Sequence, residues 1–295
     1  MRNEPDLLPP PVLMLLTASF EPGAVALIGP TQGGFSHYSA LVTVEERRCV
    51  VKAANLPLQR ADVRREARML ALLQGSGLPV PELVALFEDE TWTVALLGAL
   101  PGANALRLYT QAPGDLLRLA GELGVLLAHL HQPAATPADP DLLIADRMAP
   151  MQEQLPQLDM PPELRSLLNE SLAPAHWHSA EPCIVHGDAG VHNILWDDTI
   201  TGLLDWEWSG WGNPAQDLAW LAWTLRFRMA PPELWEELKR NYLQAGGCFP
   251  ELEPAAVRAL VFGQMAAIML RAQTPDLQAE WIRRIRWTME MKLRW

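Results

Sequence analysis

The chain has 295 residues, 49% of them hydrophobic, and a formal net charge of −12. That apolar content excludes a disordered chain and can fill one large domain or two lobes with separate cores. The acidic balance excludes a nucleic-acid surface, which needs clustered Lys and Arg. Cys49, Cys183 and Cys248, odd in number and far apart, argue against a disulfide framework and for a reducing, cytoplasmic setting. There is no run of eighteen apolar residues, and MRNEPDLLPPP lacks the features of an export signal, so neither a spanning helix nor a membrane partner is expected.

Taken in order, residues 23–52 alternate as strand, loop and strand, then a third strand, with Glu45-Glu46-Arg47 as the second reversal. Gly29, Gly33 and Gly34 fall in the first turn. Glycines there serve a hairpin, or let backbone N–H groups approach phosphate oxygens. Lys52 ends the third strand, and Lys52, Lys239 and Lys292 are the only lysines in the chain. The next segment, RADVRREARMLALLQGSG, puts Glu66 on one helical face with Met69, Leu70 and Leu73. A lone carboxylate on that face is costly, and pairing with Lys52 satisfies both groups.

Leu83–Phe87 and Trp92–Leu97 read as a hairpin around Glu88-Asp89-Glu90. Asp115 is expected to cap the helix LLRLAGELGVLLAHL, with His131 as a structural residue at its end. Residues 133–162 are Pro- and Asp-rich and predict irregular structure or short helices. His176 and His178 have no further ligands at zinc spacing. Ile184 and Val185 then lead into a polar loop, 186–193. A hairpin follows, turning at Asp197-Asp198 and ending on Asp205. Asp188, Asn193 and Asp205 thus sit at the ends of neighbouring apolar segments, and such oxygen ligands suit Mg²⁺. Asp217 is positioned to open a helix as its cap, and three more amphipathic helices complete the chain.

The run His186-Gly187-Asp188, four residues, then Asn193, followed by Asp205-Trp206-Glu207, resembles the core of the aminoglycoside phosphotransferase and choline kinase superfamily, relatives of the protein kinases. The resemblance implies an α+β, bilobal protein-kinase-like fold. Residues 1–97 would form a small β-sheet-plus-helix N-lobe that binds nucleotide. Residues 98–295 would form a larger, mainly helical C-lobe carrying catalysis and substrate binding. The stretch 97–102 would be the hinge that meets adenine through backbone groups. Asp188 would be the catalytic residue that accepts the acceptor's hydroxyl proton, with Asn193 and Asp205 on Mg²⁺. Lys52, paired with Glu66, would reach the α- and β-phosphates. Gly33, Gly34 and Ser36 would contact phosphates in a Gly-Gly-Phe-Ser-His run where the family typically has Gly-Gly-x-Ser-Asn, so His37 replaces the Asn. His186 and Asp217 would support the catalytic loop.

The implied activity is transfer of the γ-phosphate of Mg-ATP, with GTP left open, to a hydroxyl of a small molecule. Acidic charge and family favour an aminoglycoside-like polycation. The run Asp-Trp-Glu-Trp-Ser-Gly-Trp-Gly also resembles choline and thiamine kinases, whose substrates carry a quaternary nitrogen. Glu207, Trp208 and Trp211 are the candidate substrate contacts, through charge and cation–π attraction; for Glu207 a salt bridge to an arginine is the competing reading. Two other classes stay open: a pseudokinase that binds nucleotide without transfer, and a metal-dependent phosphoesterase. The latter would want more histidines and a second carboxylate near Asp188. A monomer or weak homodimer is expected.

Overall fold

The computed structural model describes residues 7–31, 37–135, 137, 139–179, 181–249, 253–272 and 274–291. The chain forms two compact units, one of residues 1–106 with 192–208, the other of residues 107–191 with 209–295.

The first unit is built on a five-stranded antiparallel sheet of β1 (Val25–Pro30), β2 (Tyr38–Val44), β3 (Arg47–Ala54), β4 (Leu83–Glu88) and β5 (Thr93–Gly98), in the order β1-β2-β3-β5-β4. The β2–β3 reversal is two residues long, Glu45 and Glu46 both having positive φ, and Arg47 already belongs to β3. Period-2 alternation sorts the side chains. Cys49, Val51 and Ala53 of β3, with Val94 and Leu96 of β5, face a core shared with helix α1 (Pro10–Ala18), which contributes Val12 and Leu16. Lys52 therefore belongs to the other face, and helix α2 (Pro57–Leu73) packs on β3, β4 and β5. All six residues of β5 are buried, as two covered faces require.

A smaller sheet completes this unit: β6 (Ala103–Asn104) pairs with β7 (Ile194–Trp196), and β7 with β8 (Ile200–Leu203). That pairing explains why the compact units divide at 106/107 and not at the expected 97/98. Residues 103–104 are hydrogen-bonded to a hairpin that returns from later in the chain.

The second unit is mainly helical: α3 (Leu116–Leu130), α4 (Pro162–Ser171), α5 (Ala215–Phe227), α6 (Pro232–Gln244), α7 (Pro254–Arg271) and α8 (Pro275–Glu290). Short antiparallel strands Cys183–Val185 and Gly210–Gly212 hold the segment before His186 in place. α3 packs closely on α6 because Gly124 has no side chain: a Cβ there would lie 2.3 Å from the Leu238 carbonyl oxygen. α7 is long and apolar enough to cross a membrane by composition, yet 61% of it is buried, against α4 and α5, as in a core helix. Asp115 does not cap α3 through its side chain. It lies in a 3-10 turn (Pro113–Asp115) with helical backbone angles in place of the extended ones a capping residue takes.

Candidate active site

Each unit fixes its own set of chemically active side chains. In the first, the Lys52 ammonium lies 2.7 and 2.8 Å from the two carboxylate oxygens of Glu66 and 2.7 Å from Oδ1 of Asp205. Burial alone would lower the lysine pKa. The negative charges of Asp205 and Glu66 outweigh it and raise the pKa well above its ordinary value, so the ammonium stays charged. Glu66 is fully buried, and its Oε1 also accepts the Trp206 backbone N–H at 3.2 Å. The sheet register that places Lys52 opposite α2 thus joins three elements through one cation.

Asp205 and Asn193 stand at the two ends of the β7–β8 hairpin, which closes where the Leu204 N–H donates to the Asn193 carbonyl at 2.8 Å. Asp205 holds φ of 70°, a left-handed conformation that Asp tolerates better than most residues. Asn104 donates to the His192 carbonyl at 2.7 Å and ties the same loop to β6. One carboxylate and one carboxamide give an all-oxygen donor set that leaves positions for phosphate and water, which fits Mg²⁺. Among the described residues, no group of three or more His, Cys, Asp or Glu could hold a metal. Gly33, Gly34 and Ser36, the expected phosphate loop, lie outside the described residues.

Among the described residues, no arginine makes a salt bridge to Glu207. Arg65 binds the Asp62 carboxylate at 2.7 Å and the Glu207 backbone carbonyl at 2.9 Å, docking the 206–208 turn on α2. The buried Glu207 carboxyl faces Nδ1 of His37 at 3.1 Å. Burial, then the nearby charges of Asp205 and Asp62, push its pKa well above the ordinary value. Burial and Lys52 lower that of His37, so at this contact the surroundings disfavour the charged form of both groups. No spacing rule announces these shifts, because they depend on charged groups distributed over β3, α2 and the 205–207 turn.

In the second unit, Asp217 does not cap α5. Its Oδ2 accepts the His186 N–H at 2.7 Å and its Oδ1 the Gly187 N–H at 2.6 Å. His131 Nε2 lies 3.1 Å from Oδ2, and His131 Nδ1 lies 3.0 Å from the Tyr242 hydroxyl. Burial would raise the Asp217 pKa; the bond from His131, with its charge and that of His186, outweighs this and lowers it. His131 is thus a link in the support of the 186–188 loop as well as the end of α3. Gly187 has φ of 82°, and the Asp188 N–H donates to His186 Nδ1 at 3.2 Å. Asp188 Oδ1 accepts the indole N–H of Trp220 at 2.6 Å.

Trp208 and Trp211, the expected cation contacts, expose 9% and 7% of their surface. Neither offers an open ring face. The cation–π pairs among the described residues are internal, with Lys239 over Phe249 at 4.2 Å and Arg284 over Trp281 at 4.6 Å.

Comparison with known proteins adds the relatives. Residues 28–260 match the profile of the phosphotransferase enzyme family, APH. No curated protein matches the chain. Among solved structures, an aminoglycoside-3'-phosphotransferase of type VIII shares 20% identity, with 85% of this chain and 96% of the other covered and a TM-score of 0.65. A macrolide 2'-phosphotransferase from Brachybacterium faecium shares 19%, covering 96% and 99%, with a TM-score of 0.57. A thermostable mutant of an aminoglycoside phosphotransferase, in ternary complex with ADP and hygromycin B, shares 15%, covering 93% and 96%, with a TM-score of 0.63. The sheet unit and helical unit are those of this protein-kinase-like fold.

Proposed function

Because this chain belongs to the phosphotransferase enzyme family, we propose that it transfers the γ-phosphoryl group of ATP, with Mg²⁺, to a hydroxyl of a small cationic molecule in the cytoplasm. The observation that carries the reading is the Lys52 ammonium held between Glu66 and Asp205. A buried lysine kept charged by two carboxylates is a fixed positive group on the central strand of a sheet, and phosphoryl transfer depends on such fixed charge more than on covalent chemistry.

On this reading Lys52 neutralises and orients the α- and β-phosphates, while Glu66 fixes its position. Asn193 and Asp205 hold the metal. Bound Mg²⁺ would neutralise charge on the phosphate oxygens. Asp188 orients the acceptor hydroxyl and takes its proton, a contribution of about 10²–10⁴-fold. The bonds from His186 and Gly187 to Asp217 keep the backbone beside Asp188 still during transfer.

Support for the acceptor class is broader than a single compound. The net charge of −12 favours a cation. Solved relatives include a complex with ADP and hygromycin B and a ternary complex with streptomycin and ATP. Glu207, buried and facing His37, enters as an internal contact and not as the counter-ion of that cation.

The test is consumption of ATP, and in parallel GTP, with a panel of aminoglycosides, macrolides and amino-alcohols, the phosphorylated product being identified by mass. Acceptor-dependent turnover that disappears in Asp188→Asn, with nucleotide still bound, is the expected result. Nucleotide binding without turnover on any acceptor would leave a pseudokinase. Unchanged turnover in Asp188→Asn would remove the assignment of the base.

A further inference from the structure

One turn of α5 grips three consecutive residues of the loop. Asp217 takes the N–H groups of His186 and Gly187, and Trp220, three residues on and on the same helical face, donates to Asp188 Oδ1 at 2.6 Å. The indole exposes 4% of its surface, so it is no wall for the acceptor. It stacks on Trp223 at 4.6 Å and lies 6.4 Å from Trp281. Trp223 is held in turn by its own N–H to Thr288 at 2.9 Å and by stacking on Phe227 at 5.1 Å. The donor therefore has a rigid back and little freedom to swing.

A buried indole N–H needs some partner. Trp177 and Trp206 find backbone carbonyls, at 3.0 and 2.8 Å. Trp220 instead spends its donor on a carboxylate, in a short, charge-assisted bond. An indole N–H gives up no proton at working pH, so its effect is orientation and not acid–base chemistry.

We propose that Trp220 is a positioning residue for the transfer step: its N–H fixes the rotamer and plane of the Asp188 carboxylate, so that the acceptor hydroxyl meets a preset base. This rests on the assignment of Asp188 made above. A carboxylate set free about its Cα–Cβ bond loses attack geometry, and misplacements near 1 Å cost on the order of 10²-fold.

The experiment compares wild type with Trp220→Phe, Trp220→His and Trp223→Phe in the acceptor-dependent assay. Phe keeps a stacked ring and removes the N–H. The imidazole of His overlays the five-membered ring of the indole, with Nε2–H in place of Nε1–H. The expected result is a kcat reduced about 10- to 100-fold in Trp220→Phe, with both KM values within about twofold. Trp220→His should recover part of that loss, and Trp223→Phe, which alters the same stack without touching Asp188, should keep kcat near wild type. A Trp220→Phe kcat within about twofold of wild type overturns the proposal, and so does an equal loss in Trp223→Phe or a Trp220→His variant no better than Phe. If Trp220→Phe does not fold, the remaining variants are read against wild type: a kcat lowered about 10-fold or more in Trp223→Phe, or about 100-fold or more in Trp220→His, overturns the proposal. Loss of activity in Asp188→Asn beside full activity in Trp220→Phe refutes the role of Trp220 alone; full activity in Asp188→Asn refutes the assignment of the base itself.

Discussion

Asp217→Asn is the most informative single change to the helical unit. The carboxylate accepts three N–H groups, from Gly187 on Oδ1 and from His186 and His131 on Oδ2. An asparagine has one acceptor oxygen, so one orientation keeps Gly187 and the other keeps His186 and His131. In the second orientation the amide NH₂ points at the Gly187 N–H, donor against donor. The variant loses one hydrogen bond to a charged group and leaves one backbone N–H unpaired, which together cost about 2–4 kcal/mol. His131 cannot offset the loss at Gly187 by changing tautomer, because it contacts the other oxygen. Urea unfolding should show that decrease at pH 7, and kcat should fall while nucleotide affinity is kept. The sign with pH follows from the lowered pKa. Asp217 contributes its stability above its unfolded value of 3.8 and loses it as pH falls through the lower folded value. The gap between wild type and variant should therefore be flat near neutrality and narrow only in acid. A cost below about 0.5 kcal/mol with unchanged kcat would refute the bracing role.

Lys52→Met leaves the fully buried Glu66 without its cation, and a loss of about 3–5 kcal/mol in denaturant unfolding is expected; calorimetric titration should show weaker ATP binding as well. Glu207→Gln tests the raised carboxyl pKa: with a folded pKa above 4.5, Glu207 contributes fully below that value and loses its contribution as pH rises through the folded pKa. Thermal midpoints of wild type should fall relative to Glu207→Gln as pH rises above 4.5, and parallel curves would contradict the assignment. Gly124→Ala should cost about 1–3 kcal/mol by driving a Cβ into the Leu238 carbonyl. Gly114→Ala, where nothing lies within 4 Å, is its control in the same melting experiment.

Much of the first unit is legible in the sequence because its physics is periodic. Alternation marks β2 and β3, and the apolar stripe of α2 places Glu66 on the buried side, where only Lys52 among the lysines was positioned to meet it. The hairpin ending on Asp205 is equally plain from its two apolar runs and Asp-Asp turn. What periodicity does not carry is the partner of a buried charge. Asp62 and Arg65 have the spacing of an ordinary exposed i,i+3 pair, yet both are buried and anchor the backbone of Glu207. Asp115 and Asp217 both look like helix caps, and neither caps, because the cap depends on backbone angles that the residue type does not determine. α1 begins in a run of prolines and is short, so its two buried residues, Val12 and Leu16, make a weak pattern.

The division of the chain gives these charges separable consequences. The chain passes from the helical unit to the sheet unit between Val191 and His192, so Asp188 and Asn193 are anchored to different cores although five residues apart. Lys52 is bonded to Glu66 and Asp205 within the sheet unit, and within the helical one Asp188 accepts from Trp220 while Asp217 holds the N–H groups of the two residues before it, His186 and Gly187. On the proposed function the first group acts on nucleotide and metal, and the second on the acceptor. Substitutions at Lys52 or Glu66 should then raise the nucleotide Kd, and those at Asp217 or Trp220 should leave it within about twofold while lowering kcat. Equilibrium binding of ATP to the four variants, measured without acceptor, decides the matter. A rise in Kd of about tenfold or more in Asp217→Asn or Trp220→Phe would mean that the two sets are coupled in binding, and that the support of Asp188 also shapes the nucleotide site.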